Sequence, residues 1–284
     1  MFETLQFPFM QRAFLIGAIA AIPFGLIGTF VVVRRIGYLA GAIAHCAFGG
    51  IGIGLYGQYL LAGCIGTTAS VLFPPMGVSV FVAVFCAMLI GLIQTQAKER
   101  EDTIIGVIWA FGMALGLLLL ELTPGNINIS NYLFGNILLI TQTDVILVSS
   151  LSIIVLCLVL VFFKRLEAVC FDEEFSRLRG IPTMFYFQLL LILTALTVVL
   201  LVRIVGIVLV IAMLTLPAAT ACRFAKRLFP ICVLAVLFGW IVTWLGLFIS
   251  VYFNLSSGPA IVMVAAVGYL LSLLRCKSFL FRKR

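Results

Sequence analysis

The chain has 284 residues, 64% of them apolar and only 10% charged, with a formal charge of +8. Soluble domains average about 45–50% apolar and about 25% charged residues. A soluble fold of this composition would expose large apolar areas that associate in water, so the composition points to a lipid environment. Every backbone polar group must then be bonded internally, which leaves spanning helices or a closed barrel. The apolar runs are long and continuous rather than alternating, which excludes a barrel.

A spanning helix needs about 20 apolar residues. The first uncharged run, 13–33, meets this and ends at Arg34 and Arg35. Residues 1–12 carry Glu3 and Arg12, and no small-residue cleavage site ends the following run, so it reads as a span rather than a secretory signal. No charge occurs from Ile36 to Ala97. This stretch divides into a helix over 37–57, a connection over 58–74 and a helix over 75–97, with Pro74 and Pro75 suited to a helix start. Further helices are predicted at 103–121, 143–163, 183–201, 205–222, 230–252 and 259–274. The expectation is an all-α, polytopic membrane bundle of about nine (eight to nine) helices, forming one transmembrane domain over 1–284 with no soluble domain appended.

Alternate connections carry the cations. Segments 34–35, 98–102, 164–182, 223–229 and the tail from 275 hold 2, 2, 4, 3 and 5 of the 18 basic residues, leaving only Arg12 and Arg203 elsewhere. By the positive-inside rule these segments are cytoplasmic. The N-terminus is then outside and the C-terminus inside. The positive charge is accordingly a topology signal and implies no nucleic acid. The loop at 122–142, rich in Asn and turn residues, reads as an external mouth. The eight cysteines are scattered, mostly within apolar runs, and form neither a disulfide framework nor a zinc-type spacing.

Few polar residues remain to carry chemistry. Gly52-Ile53-Gly54-Leu55-Tyr56-Gly57 matches G-x-G-x-x-G, but it sits in an apolar helix without the strand context that motif needs. Gly49, Gly50, Gly52 and Gly54 instead suit close helix packing in lipid. No phosphate-binding P-loop occurs. His45 is the single histidine. Eight residues into its helix, it lies about 12 Å along the axis, at a depth where an ionisable group marks a functional site. Imidazole is a common metal ligand; the alternative is a structural bond to a neighbouring helix's carbonyl. Glu121 stands at a helix end, as an entry ligand or a solvated terminus. Asp144 and Arg203 read as interfacial.

The segment 164–182, KRLEAVCFDEEFSRLRGIP, is built as a short capped helix. Asp172 suits the N-cap. Glu173 and Glu174 match the positive helix end, and Arg177 and Arg179 match the other. Gly180 suits a left-handed stop, with Pro182 just beyond. Phe171, Phe175 and Leu178 recur at i, i+4 and i+7, leaving an apolar edge for a partner's groove or for lipid headgroups.

This FDEEFSRLRGIP run resembles the cytoplasmic coupling segment of ABC importer permeases. Residues 25–54, 100–120, 132–140 and 202–221 narrow the resemblance to the zinc and manganese/iron uptake group, in order along nearly the whole chain. The resemblance implies a permease subunit moving a divalent metal ion across the bacterial cytoplasmic membrane, and not itself an enzyme. It implies a homodimer of permease chains, two copies of a separate ATPase docked on 164–182, and an extracytoplasmic metal-binding protein. Asp172, Glu173, Glu174, Phe175, Arg177 and Gly180 would form the coupling contact. His45 corresponds to the histidine of a G-D-A-x-S-H motif facing the metal pathway. Here Gly41 replaces that motif's aspartate and Ala44 its serine, which shifts the preference from hard-oxygen ions toward zinc. No catalytic residue and no permanently bound cofactor is implied. The competing readings are a stand-alone secondary transporter or channel, and a membrane scaffold.

Overall fold

The computed structural model describes residues 8–65, 74–96, 101–124, 135 and 142–281, and these residues contain ten helices and no strand. In chain order they are α1 (Pro8–Val33), α2 (Gly37–Ile65), α3 (Pro75–Gln96), α4 (Glu101–Leu122) and α5 (Gln142–Phe171). There follow α6 (Glu173–Leu178), α7 (Thr183–Val205), α8 (Ile207–Phe224), α9 (Leu228–Phe253) and α10 (Ser257–Phe281). Among the described residues, eight helices are long and apolar enough to cross a membrane: α1 to α5 and α8 to α10. In α7 the apolar stretch is shorter, Thr183–Val199. Its 23 residues nonetheless extend about 34 Å, the thickness of a bilayer's hydrocarbon core.

Several helices run longer than the sequence reading: α1 begins at Pro8 rather than 13, α7 ends at Val205 rather than 201, α10 ends at Phe281 rather than 274, and two further boundaries change a connection into helix. Helix α2 continues to Ile65, so 58–65 is helix rather than connection; no proline falls in that stretch. Residues 66–73 lie outside the described residues, as does most of the 122–142 loop. Helix α5 continues past 163 to Phe171, because Leu166 and Val169 remain buried and carry its apolar face onward.

Helices α1 and α2 form the centre. Their spanning windows are 72% and 78% buried, against 22–28% for α3, α4 and α5. The outer helices present apolar side chains such as Phe81, Phe111, Val161 and Met263 to the surroundings, as lipid requires.

Contacts fix the direction of each helix. Gly41 faces Trp109, Gly49 faces Gly112 and Gly52 faces Gly116, so α2 and α4 run parallel. Gly50 faces Ser79 and Gly54 faces Pro75, so α3 is antiparallel to α2. Phe30 and Phe229 both pack edge-on against Phe163. Arg165 donates to the Tyr186 hydroxyl at 2.7 Å, and Arg223 lies 5.3 Å from the Tyr269 ring. The ends of α1, α5 and α8, the starts of α2, α4, α7 and α9, and the far part of α10 therefore gather at one end of the bundle. The basic segments 34–35, 164–182 and 223–229 belong to that end. Because α7 leaves it and α8 returns to it, the chain reverses at Gly206, whose φ of 82° and ψ of 158° suit glycine almost alone.

The same contacts predict a contrast. A Cβ at Gly49 would stand 2.9 Å from the Gly112 carbonyl oxygen, whereas one at Gly106 meets nothing within 4 Å. Gly49→Val should lower stability by about 1–3 kcal/mol through overpacking. Gly106→Ala should leave it unchanged or raise it by up to about 1 kcal/mol, since alanine favours helix. Thermal unfolding of the two variants in the same detergent checks this.

Candidate functional site

The helical start at Gly37 puts His45 two turns above the basic end. Its ring faces α4, where Nδ1 lies 3.2 Å from Met113 Sδ and the imidazole stacks on Trp109 at 4.9 Å between centroids. The ring nitrogen thus meets a thioether, where the structural alternative was a neighbouring helix's carbonyl. His45, Trp109 and Met113 are each half-buried. Trp109 reaches into the space beside Gly41, where a Cβ would be 2.7 Å from its six-membered ring. Phe48 does the reverse one turn on, filling the space beside Gly116, where a Cβ would be 2.6 Å from its ring. These two large-into-small contacts flank the His45–Met113 pair and hold it in register. Cys46, the next residue, points its thiol at the Ile108 carbonyl, 3.8 Å away.

The capped helix α6 forms as its residues dictate. Asp172 is extended (φ −150°, ψ 99°) and accepts the Phe175 N–H at 2.9 Å. Gly180 takes φ +75°. The Gly180 N–H bonds the Arg177 carbonyl at 3.0 Å and the Ile181 N–H bonds the Ser176 carbonyl at 3.1 Å, the paired bonds of a left-handed helix stop. Ser176 is buried, while Glu174 and Arg177 are exposed. Phe171, Phe175 and Leu178 are 59%, 49% and 87% exposed, so the apolar edge is open. Arg179 lies over the Phe175 ring at 4.5 Å.

Arg34, at the end of α1, is the residue that ties this helix down. It bonds the Glu173 carboxylate at 2.7 Å and the Val169 carbonyl at 2.9 Å, and lies 4.3 Å over the Phe187 ring. Arg177 approaches the same carboxylate only to 3.7 Å and is 75% exposed. Arg34 can reach all three because the α1–α2 turn is tight. Arg35 adopts φ 61°, and the Ile36 N–H bonds the Val31 carbonyl at 2.9 Å.

The structure thus brings Asp172, Glu173, Glu174, Phe175, Arg177 and Gly180 together at the basic end and leaves His45 apart from them in the membrane. Sequence reasoning missed Arg34, Trp109 and Met113 as contributors. Arg34 was visible only as a topology charge, and nothing local marked the other two. Glu121 is exposed at the end of α4, as a solvated helix end would be. Asp144 lies in the first turn of α5 and is buried against the protein. The Arg203 side chain lies outside the described residues. Among those residues, no three His, Cys, Asp or Glu side chains lie close enough to share an ion.

A multi-pass helical bundle with a capped helix exposed on its basic end has the build of a transporter's membrane subunit. Comparison with known families identifies it: the chain belongs to the ABC 3 transport family, whose model matches residues 6–276. It is 35% identical over 98% of its length to a protein of Chlamydia trachomatis named "Probable metal transport system membrane protein", covering 92% of that protein. It is 30% identical to the manganese transport system membrane protein MntC of Listeria monocytogenes, covering 95% of this chain and 91% of that one. The structure of PsaBC from Streptococcus pneumoniae in complex with Fab superposes with a TM-score of 0.82 at 30% identity, over 95% of this chain and 93% of that one.

A partly buried, charge-assisted pair contributes more than an exposed one. Arg34→Ala should therefore weaken the docking of α6 on the bundle by about 1–3 kcal/mol, whereas Arg177→Ala should change it little. Hydrogen exchange of the 173–181 amides reads the difference: faster in the first variant, near wild type in the second.

Proposed function

We propose that this chain is the permease subunit of an importer that carries a divalent metal ion across the bacterial cytoplasmic membrane. The observation that carries the reading is family membership over nearly the whole chain, joined to an exposed, well-capped helix at the basic end. The names of the relatives, metal transport in one and manganese transport in another, support the cargo. Zinc and manganese are the leading ions, with zinc favoured by the nitrogen and sulfur donors around His45.

The basic end faces the cytoplasm by the positive-inside rule, with the N-terminus outside and the C-terminus inside. Segment 164–182 is then a cytoplasmic coupling segment. Two copies of a separate ATPase subunit dock there, each receiving the Phe171, Phe175 and Leu178 edge in a groove and reading the exposed charges of Glu174 and Arg177. Arg34 and Glu173 hold the segment in place, while Asp172 and Gly180 shape its ends. The chain itself hydrolyses nothing. ATP binding and hydrolysis in the partner drive two permease chains between outward- and inward-facing forms, and an extracytoplasmic binding protein delivers the ion.

His45 touches the ion in transit. A site of few donors suits that task, because conduction needs binding weak enough to let the ion leave. In a strain lacking the chromosomal copy and grown under chelation, His45→Ala should abolish metal-dependent growth while membrane levels of the chain stay normal. Charge reversal at Glu174 or Arg177 should reduce recovery of the ATPase in a pull-down. Metal uptake by the purified chain alone, driven by a proton gradient, would overturn the reading.

A further inference from the structure

The geometry points to Met113 as a second ligand to the ion in transit, so that His45 and Met113 form a soft nitrogen–sulfur chelate selecting zinc over manganese. This inference rests on the reading that His45 contacts the transported ion.

The two donor atoms already stand in chelating range. Zinc bonds imidazole nitrogen at about 2.0 Å and thiolate sulfur at about 2.3 Å; with a thioether no closer than that, a tetrahedral angle separates the donors by about 3.5 Å or slightly more. Nδ1 and Sδ are 3.2 Å apart. An ion could enter between them if the thioether moved a few tenths of an ångström, and methionine's flexible, unbranched side chain permits that. The tautomer decides what the contact does. With its proton on Nδ1 the ring donates an N–H···S bond; with the proton on Nε2 the Nδ1 lone pair and the sulfur converge on one point. Both side chains are half-buried, so the pair is not sealed within the bundle.

At position 41 the chain offers no hard oxygen. Position 41, one turn before His45, is the natural place from which α2 could add a carboxylate. It is glycine, and Trp109 stands where a Cβ would project, 2.7 Å away. Among the described residues no three His, Cys, Asp or Glu side chains cluster, and the Cys46 thiol turns to the Ile108 carbonyl. Thioether and imidazole suit zinc and softer ions, whereas manganese prefers carboxylate, carbonyl and water. The remaining positions on the ion fall to water, which keeps the site shallow enough for release.

Met113→Leu removes the sulfur and nearly conserves volume, so the α2–α4 seam keeps its packing. The full-length chain, its Met113→Leu variant and its His45→Ala variant are titrated in detergent with Zn²⁺ and, separately, Mn²⁺, against a competing chromophoric chelator. We expect Met113→Leu to weaken zinc binding by on the order of tenfold or more and to leave manganese binding nearly unchanged. Equal loss for both ions, or no loss for either, overturns the proposal. If His45→Ala abolishes zinc binding while Met113→Leu does not weaken it, the thioether role fails and the histidine reading stands. If His45→Ala leaves zinc binding intact, both fail. X-ray absorption of the zinc-loaded wild-type chain gives an answer that needs no variant: a sulfur in the first shell supports the chelate, and a shell of nitrogen and oxygen alone overturns it.

Discussion

Between helices in lipid there is no hydrophobic force to draw apolar faces together, so association depends on how closely backbones can approach. Helix α2 meets that constraint with two separate stripes of small residues. Gly41, Gly49 and Gly52 face α4, while Gly50 and Gly54 face α3. The approach is close enough that a Cβ at Gly50 would stand 2.6 Å from the Ser79 Cα, and one at Gly54 would stand 2.5 Å from the Pro75 Cα. The Ser79 hydroxyl uses the same proximity to donate to the Ala47 carbonyl at 2.7 Å. With both neighbours pressed this near, α2 becomes the most buried span, and its histidine meets side chains from α4 instead of lipid.

The basic end is organised by a different force. Arg34 is 14% exposed, a position where an unpaired guanidinium would be costly. Its partners come from α5, α6 and α7: the Val169 carbonyl, the Glu173 carboxylate and the Phe187 ring. Helix α2 begins at Gly37, three residues beyond. A short path therefore joins the exposed helix α6 to the helix that bears His45, through one ion pair and one tight turn. That turn places Arg35 in the left-handed region, which a non-glycine residue enters at some cost. The two bonds that close the turn, Arg35 N–H to the Val32 carbonyl and Ile36 N–H to the Val31 carbonyl, offset it.

How much of this was legible depended on whether the determinants were local. Span positions follow from apolar run length, so the helices fell close to their expected places. The caps of α6 were readable residue by residue, since Asp172 and Gly180 act on backbone groups a few residues away. The basic segments 34–35, 164–182 and 223–229 share one end because charge placement alternates with the crossings. The larger boundary errors have separate causes: the burial of Leu166 and Val169 holds α5 in helix across a charged stretch, whereas α2 passes the polar Gln58 without a break although Tyr59 and Leu60 are exposed. The burial of Asp144 was not legible, because position at a helix end says nothing about what covers it.

The His45–Met113 contact spans 68 residues and has no local signature, yet the sequence does constrain it once α2 and α4 are known to run parallel. Trp109 needs a gap on α2, and Phe48 needs one on α4. Glycines at 41 and 116 provide them, and the two fits are reciprocal: a knob from each helix into the other. Sliding one helix by a single residue would turn both rings onto side chains with a Cβ and lose both fits together. Between those locks, one turn above Gly41 and one below Gly116, the residues that come opposite each other are His45 and Met113. The pairing of imidazole with thioether is thus a consequence of register, and the register is a consequence of where the glycines stand.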